Sequence, residues 1–332
     1  MIEDRLAAYL AARWNEPVQV RGLRRFHGGA ARETYRFDAV TAGGTRGLVL
    51  RRDPTSSLIE TDRSIEFGAL AAFHGSDVPV PEPLFLETDA EGFGAPGFVM
   101  GEVPGVRAAG LFDADPYGDA RTEVGREMFG ILGRIHARDT SVMADVLEAP
   151  LPENGWQERL DHWRRSAAAD ALGPEPILWA GVRWLERNPP PPPERMTIVH
   201  GDYRSGNFLI DGDHRIRAVV DWEMVHLGDP LEDLAWAMDP LWAHGTPDRP
   251  GGTIPEADAI ATWERASGLA ADPIALRWWR VFAQVMGLAI WISSAREVAA
   301  GRSVDPVMIF SSYFPYRFHN RTLAATLREL AA

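Results

Sequence analysis

The segments of this chain that read as β-strand are crowded into its first hundred residues, and helical patterns dominate the remainder. Strands in one run and helices in the next imply an α+β architecture, not an alternating α/β sheet. VQVRGLRRF (18–26), ETYRFDAV (33–40) and RGLVLRR (46–52) alternate loosely and carry β-branched and aromatic residues. HGGA and TAGGT separate them, so the expectation is a run of antiparallel hairpins. Two helices accompany these strands: 3–14, with Leu6, Leu10 and Trp14 at helical spacing, and 61–73, with Ile65, Ala69 and Ala72 on one face. DVPVPEPLFLE cannot be helical, because its alternating prolines favour extended backbone. GFVMGEVPGV reads as a strand ending in a Pro-Gly turn. Helices are expected at 123–136, 156–169, 176–186 and through most of the chain from Pro230 onward. The length of 332 residues exceeds what one core usually holds. The expected organisation is a sheet-rich lobe over 1–100, a hinge over 101–105 and a mainly helical lobe over 106–332, with a ligand cleft between the lobes.

Composition narrows the partners. The net charge of −13 argues against nucleic-acid binding, which needs basic patches, and is compatible with a cationic substrate. The longest apolar stretch, VFAQVMGLAIWI, contains Gln284 and is too short to span a bilayer, so no membrane partner is expected. The start is charged and lacks an apolar leader pattern. There are no cysteines, which excludes disulfides and thiolate metal sites and fits a reducing cytoplasm. All 34 basic residues are arginine, so any chemistry that uses a lysine must use something else here.

The chemistry concentrates in VHGDYRSGNFLI (199–210) and RIRAVVDWE (215–223), strand-like runs joined by the turn sequence DGDH. A hairpin folded about that turn brings Asn207 and Asp221 out at the same end, with Asp202 on the loop just before. Carboxylate and amide oxygens are hard ligands that suit Mg²⁺, which takes its remaining ligands from water and phosphates. A carboxylate that is not a ligand can accept a proton from a hydroxyl. Asp202 as base with Asn207 and Asp221 on the metal makes a phosphoryl-transfer site. A zinc site at His200, His214 and His226 fits poorly: there is no H-E-x-x-H pattern, and His214 lies at the far end of the hairpin.

VHGDYRSGNFLI followed by AVVDWEMVHLGDPLEDLAW resembles the core of the aminoglycoside phosphotransferase and choline kinase-like superfamily. The nearest likeness is to the branch fused to acyl-CoA dehydrogenases. The resemblance runs from GGAARETYRF through DLAW and implies the bilobal protein-kinase-like fold, with ATP and Mg²⁺ as cofactors. By the same resemblance, Asp202 matches the base, Asn207 and Asp221 the Mg²⁺ ligands, and His200 the histidine that props the loop. Gly228, Asp229 and Asp233 match a GDPxxDLA segment whose carboxylates are expected to cap a helix from Pro230. Gly28 and Gly29 match a nucleotide-binding loop in which Ala31 replaces a usual serine. Arg51 falls where the family has its phosphate-holding cation, with Arg52 as the alternative; Glu66 is its expected partner and Glu60 the fallback. Met100, Glu102 and Val103 belong to the strand that would meet adenine through its backbone. Arg204 is expected to touch phosphate or acceptor, or to pair with a loop carboxylate. Asp239 and Trp242, with Trp236 and His244, are candidates for the acceptor pocket. The implied function is transfer of the γ-phosphate to an alcohol group of a small molecule, a hydroxyacyl metabolite being favoured. An aminoglycoside or other antibiotic kinase and a nucleotide-binding pseudokinase are the alternatives.

Overall fold

The computed structural model describes residues 2–26, 33–53, 63–147 and 155–331. Gly28, Gly29, Ala31 and Glu60 lie outside the described residues. The first part of the chain runs α1 (Ile2–Trp14), β1 (Gln19–Phe26), β2 (Glu33–Thr41), β3 (Gly44–Arg52), α2 (Arg63–Phe73), β4 (Pro83–Glu87) and β5 (Gly97–Gly101). The five strands form one antiparallel sheet in the order β1-β2-β3-β5-β4. β2 and β3 pair without interruption from Glu33 opposite Arg52 to Thr41 opposite Gly44, closed by a two-residue turn. β1 slips register between Arg21 and Arg24, where Gly22 takes φ +63°.

Side chains alternate across a strand, so β3 serves two cores at once. Leu48 and Leu50 point to the outer face and pack with Phe37, Phe93, Val99 and the α1 residues Leu6 and Leu10. Val49 points the other way, and with Phe98, Met100 and the α2 residues Ala69, Leu70 and Phe73 it joins the large core of the helical part.

The helical part comprises α3 (Arg121–Ala137), α4 (Gly155–Asp170), α5 (Pro176–Arg187), α6 (Pro230–Ala237), α7 (Glu256–Ser267), α8 (Pro273–Ala299), α9 (Pro306–Ser311) and α10 (Phe314–Leu330). Pro176, Pro230, Pro273 and Pro306 open four of these helices, where a missing N–H costs nothing. The 27-residue α8 is buried along most of its length and packs against α4, α5, α6, α9 and α10. Among the described residues no helix is long and apolar enough to cross a membrane.

Two short strand pairs sit between the sheet and the helices. β7 (Phe208–Ile210) and β8 (Ile216–Val219) form the expected hairpin, with Phe208 opposite Val219. Asp211 closes its turn by accepting the N–H groups of Asp213 and Arg215. The second pair, β6 (Thr197–Val199) with β9 (His226–Gly228), was not expected; no turn joins these strands directly, so nothing local in the sequence pairs them.

Candidate active site

The hairpin does what its sequence predicts. The N–H of Val220 donates to the Asn207 carbonyl at 3.0 Å, so Asn207 and Asp221 leave the same end of the ladder. Asp221 takes a left-handed conformation, φ 71° and ψ 51°, which aspartate tolerates better than most residues. The hairpin touches the sheet lobe directly: Val219 N–H donates to Pro79 at 2.8 Å, and Trp222 stacks on Phe73 with ring centroids 4.7 Å apart.

The loop between β6 and the hairpin is held from below. Asp233 on α6 accepts the backbone N–H groups of His200 at 2.6 Å and Gly201 at 2.9 Å, and lies 3.3 Å from His136 Nε2. Its expected role as a helix cap is corrected: only Asp229 caps α6, accepting from Leu231 N–H at 2.9 Å, whereas Asp233 lies one turn inside and clamps the loop. Gly201 adopts φ +85°, and a Cβ there would lie 2.5 Å from the Met224 carbonyl, so the clamp requires glycine. His200 is fully buried. Its Nδ1 accepts from Asp202 N–H at 3.2 Å, which leaves Nε2–H to donate to Val220 at 3.1 Å. Burial pushes its pKa down, so the ring stays neutral and the tautomer is fixed. His214 is in the distal turn and His226 bonds Glu232 and the Met224 carbonyl; no zinc site forms from these three, and no cluster of metal-holding side chains exists among the described residues.

Asp202 is densely contacted. Its carboxylate accepts from Asn207 Nδ2 at 2.7 Å, from Trp236 Nε1 at 2.7 Å, and from Arg204 Nε at 3.0 and 3.2 Å. Asn207 Nδ2 also donates to the Asp202 carbonyl at 2.8 Å. Both acceptors require the amide nitrogen on that side, so Oδ1 of Asn207 is left to face other partners. Arg204 resolves its two expectations toward the carboxylate pair in this state, with its guanidinium 4.6 Å above the Trp242 ring.

On the sheet side of the site, Arg51 bridges two carboxylates, Glu66 Oε1 at 2.5 Å and Asp221 Oδ1 at 2.7 Å. Burial works against its charge, but Glu66, Asp221 and Glu223 outweigh it and the guanidinium stays charged. Burial would likewise raise the Asp221 carboxyl; Arg51, followed by Arg204, more than offsets this and holds it below the usual carboxylate value. Arg52 faces the opposite side of β3, bonded to Glu33 at 2.7 Å and to the Phe93 carbonyl at 3.0 Å. The backbone of β5 is partly committed: Gly101 N–H donates to Glu82 and Glu102 N–H to Gly47, while the Glu102 side chain binds Arg36. Met100 is buried in the shared core.

The acceptor candidates divide. Asp239 is only 4% exposed and already accepts from His319 Nε2 at 3.1 Å and Leu241 N–H at 2.9 Å. His244 bonds Ser205 Oγ at 3.0 Å and the Asp113 carbonyl at 2.8 Å. Trp242 is buried beneath Arg204 and packs against Trp236. The contact of Trp236 with Asp202 was not foreseen from sequence, although Asp233 and Trp236 are three residues apart on one helix and so share a face.

Residues 22–269 match the APH phosphotransferase enzyme family. The chain belongs to that family. The family is one of phosphotransferase enzymes. Mouse acyl-CoA dehydrogenase family member 10 is 29% identical over 66% of this chain, and chicken acyl-CoA dehydrogenase family member 11 is 28% identical over 67%. The aligned regions are 21% and 28% of those relatives, which are much longer proteins. Viomycin phosphotransferase of Streptomyces vinaceus is 29% identical over 63% of this chain and 72% of its own length. Among solved structures, one assigned as an aminoglycoside phosphotransferase from Ralstonia eutropha superposes with a TM-score of 0.75 at 21% identity, covering 97% of this chain and 98% of the other. The GDP complex of aminoglycoside 2'-phosphotransferase-IIIa gives 0.64 at 12% identity, covering 98% and 99%. These likenesses establish the bilobal kinase-like fold of this APH phosphotransferase.

Proposed function

We propose that this APH phosphotransferase moves the γ-phosphate of ATP to a hydroxyl group, with Asp202 as base and Asn207 and Asp221 as Mg²⁺ ligands. The observation that carries the proposal is the convergence, at one end of one hairpin, of a carboxylate kept ionised by Arg51 and an amide whose nitrogen is fully used by Asp202. These two oxygens are hard donors, and too few to cage an ion by themselves. That fits a metal which keeps waters and completes its shell with phosphate oxygens. When bound, Mg²⁺ would neutralise charge on the transferring phosphate. Arg51, held by Glu66, is the cation for the nucleotide phosphates, and its planar fork suits bidentate contact. With the Gly101 and Glu102 donors committed, the Val103 N–H is the next donor along the 101–105 hinge and is assigned to a purine edge.

In the transfer itself, the acceptor O–H gives its proton to the Asp202 carboxylate. The oxygen lone pair forms the new bond to the γ-phosphorus, the bond from phosphorus to the β,γ-bridging oxygen breaks, and ADP leaves with that electron pair. Arg204 is placed to leave Asp202 for the transferring phosphate, since its charge is needed where negative charge collects.

The favoured acceptor is a hydroxylated acyl metabolite. The support is the likeness to acyl-CoA dehydrogenase family members, together with a helix-side wall of tryptophans in which the Asp239 carboxylate is already engaged by His319 and Leu241. An ATP- and GTP-consumption screen against hydroxyacyl-CoA esters, viomycin and kanamycin tests this. Turnover with a hydroxyacyl ester is expected; turnover confined to the antibiotics rejects that acceptor class. Asp202→Ala should lose about 10²- to 10⁴-fold in turnover while MgATP still raises the melting temperature. Wild-type turnover in that variant refutes the base assignment.

A further inference from the structure

We propose that Trp236 is a positioning residue for the base, and that the buried face of α10 sets it through His319. The inference rests on Asp202 being the base. A carboxylate offers about four lone-pair sites. Three N–H donors face it: Trp236 and Asn207 on one oxygen each, and the single Nε–H of Arg204 shared between both. An acceptor hydroxyl approaching the carboxylate competes with these donors.

The three donors differ in freedom. Arg204 is a long side chain, 26% exposed, lying over an indole. Asn207 is buried and tied a second time to the Asp202 carbonyl. Trp236 is buried, with its ring 5.2 Å from Trp242 and 6.0 Å from His319. Arg204 is therefore the donor that exchanges. Trp236 on Oδ1 and Asn207 on Oδ2 each keep one oxygen, and between them they fix the carboxylate plane during the reaction.

The indole is itself held from α8 and α10. Trp291 Nε1–H donates to His319 Nδ1 at 2.8 Å, and an indole can only donate, so the His319 proton sits on Nε2 and faces Asp239 at 3.1 Å. Asp239 in turn caps the turn that carries Trp242. Gly287 on α8 supplies the space for this histidine: a Cβ there would collide with His319 Nδ1. Three elements distant in sequence thus meet behind one hydrogen bond to Asp202.

The test uses MgATP hydrolysis, in which water takes the place of the acceptor, so no acceptor need be known. Trp236→Phe keeps a ring and deletes the N–H. The expected result is a kcat lower by about 10- to 100-fold with the KM for ATP within about twofold of wild type, because a small misplacement of a reacting group costs rate, not affinity. In protein labelled at its tryptophans, the Trp236 indole proton should resonate downfield and move upfield in Asp202→Asn. If Trp236→Phe does not fold, benzothienylalanine at position 236, which replaces the N–H by sulfur at nearly constant shape, should give the same loss of kcat. A wild-type kcat in the folded variant, or a loss confined to KM or to melting temperature, overturns the inference. If Asp202→Asn itself hydrolyses ATP at the wild-type rate, the base assignment fails instead, and the two failures are told apart.

Discussion

The two walls of the candidate site, sheet side and helix side, are organised by different forces. On the sheet side, Arg51 sits between Glu66 and Asp221, and charge holds the geometry. On the helix side, Trp236, Trp242, Trp291 and His319 interlock through directional hydrogen bonds and ring packing. Arg204 is the ion-pair partner that Asp202 has there among the described residues. A charged wall can tolerate a small shift, since Coulomb attraction falls slowly with distance. A wall of packed rings and single N–H donors cannot, because close packing and hydrogen-bond geometry are both short-ranged. Rate should therefore be most sensitive on the helix side, and nucleotide affinity on the sheet side.

The largest effect is expected from Arg51→Met, which takes the nearest cation from the buried Glu66 and the half-buried Asp221. Removing one partner of a buried ion pair costs about 3–5 kcal/mol, and MgATP affinity should fall at least about tenfold by calorimetry. Arg52→Met, one residue along and facing away, should leave that affinity within about twofold. If both variants lose affinity equally, the sheet-side account fails.

Next comes Asp233→Ala, which removes the acceptor from two buried N–H groups. At about 1–3 kcal/mol for each unsatisfied donor, denaturant unfolding should show a loss of at least about 2 kcal/mol. Asp233→Asn, which keeps one acceptor oxygen, should lose less.

Asp229 separates the two walls by pH. Unlike Asp221, it has no cation beside it among the described residues, and burial raises its pKa to about 6, against the N–H bond from Leu231, which lowers it. The folded protein then binds more protons than the unfolded chain between about pH 4 and pH 6, so this group makes stability fall as pH rises through that window. Asp229→Asn keeps the cap and should flatten the stability profile there, with a gain of about 3 kcal/mol at pH 7. An unchanged slope between about pH 4 and pH 6 would reject the buried-carboxyl explanation. The smallest expected change in stability is from Gly287→Ala, about 1–3 kcal/mol of overpacking against His319, accompanied by a lower kcat at unchanged ATP affinity. A drop in ATP affinity of the same size as the drop in kcat would erase the distinction between the walls.

Legibility in the sequence divides along the same line. The strands of the sheet and the hairpin were readable because alternation, turn residues and spacing are local or nearly so, whereas the pairing of Arg51 with Glu66 was expected from the family resemblance. The choice between Arg51 and Arg52 was made only when the register of β3 fixed which face met the cleft. The network behind Asp202 was not readable: Trp236 and His319 are 83 residues apart, on helices whose apolar pattern says only that they are buried. Asp233 misled for a related reason. An acid near a helix start reads as a cap, and only the fold shows that the clamped loop passes beneath it.

The sheet lobe and the helical lobe share one hydrophobic core through the inner face of β3 and β5, while only the outer face packs privately against α1. A lobe-exchange chimera spliced at the chain crossover would thus cut through packed side chains, not between bodies. The compatible splice keeps Val49, Phe98, Met100 and α2 matched to the helical partner and recombines only the outer layer. The modular unit of this protein is bounded within the thickness of the sheet, and α1 with the outer side chains is the part that can be traded.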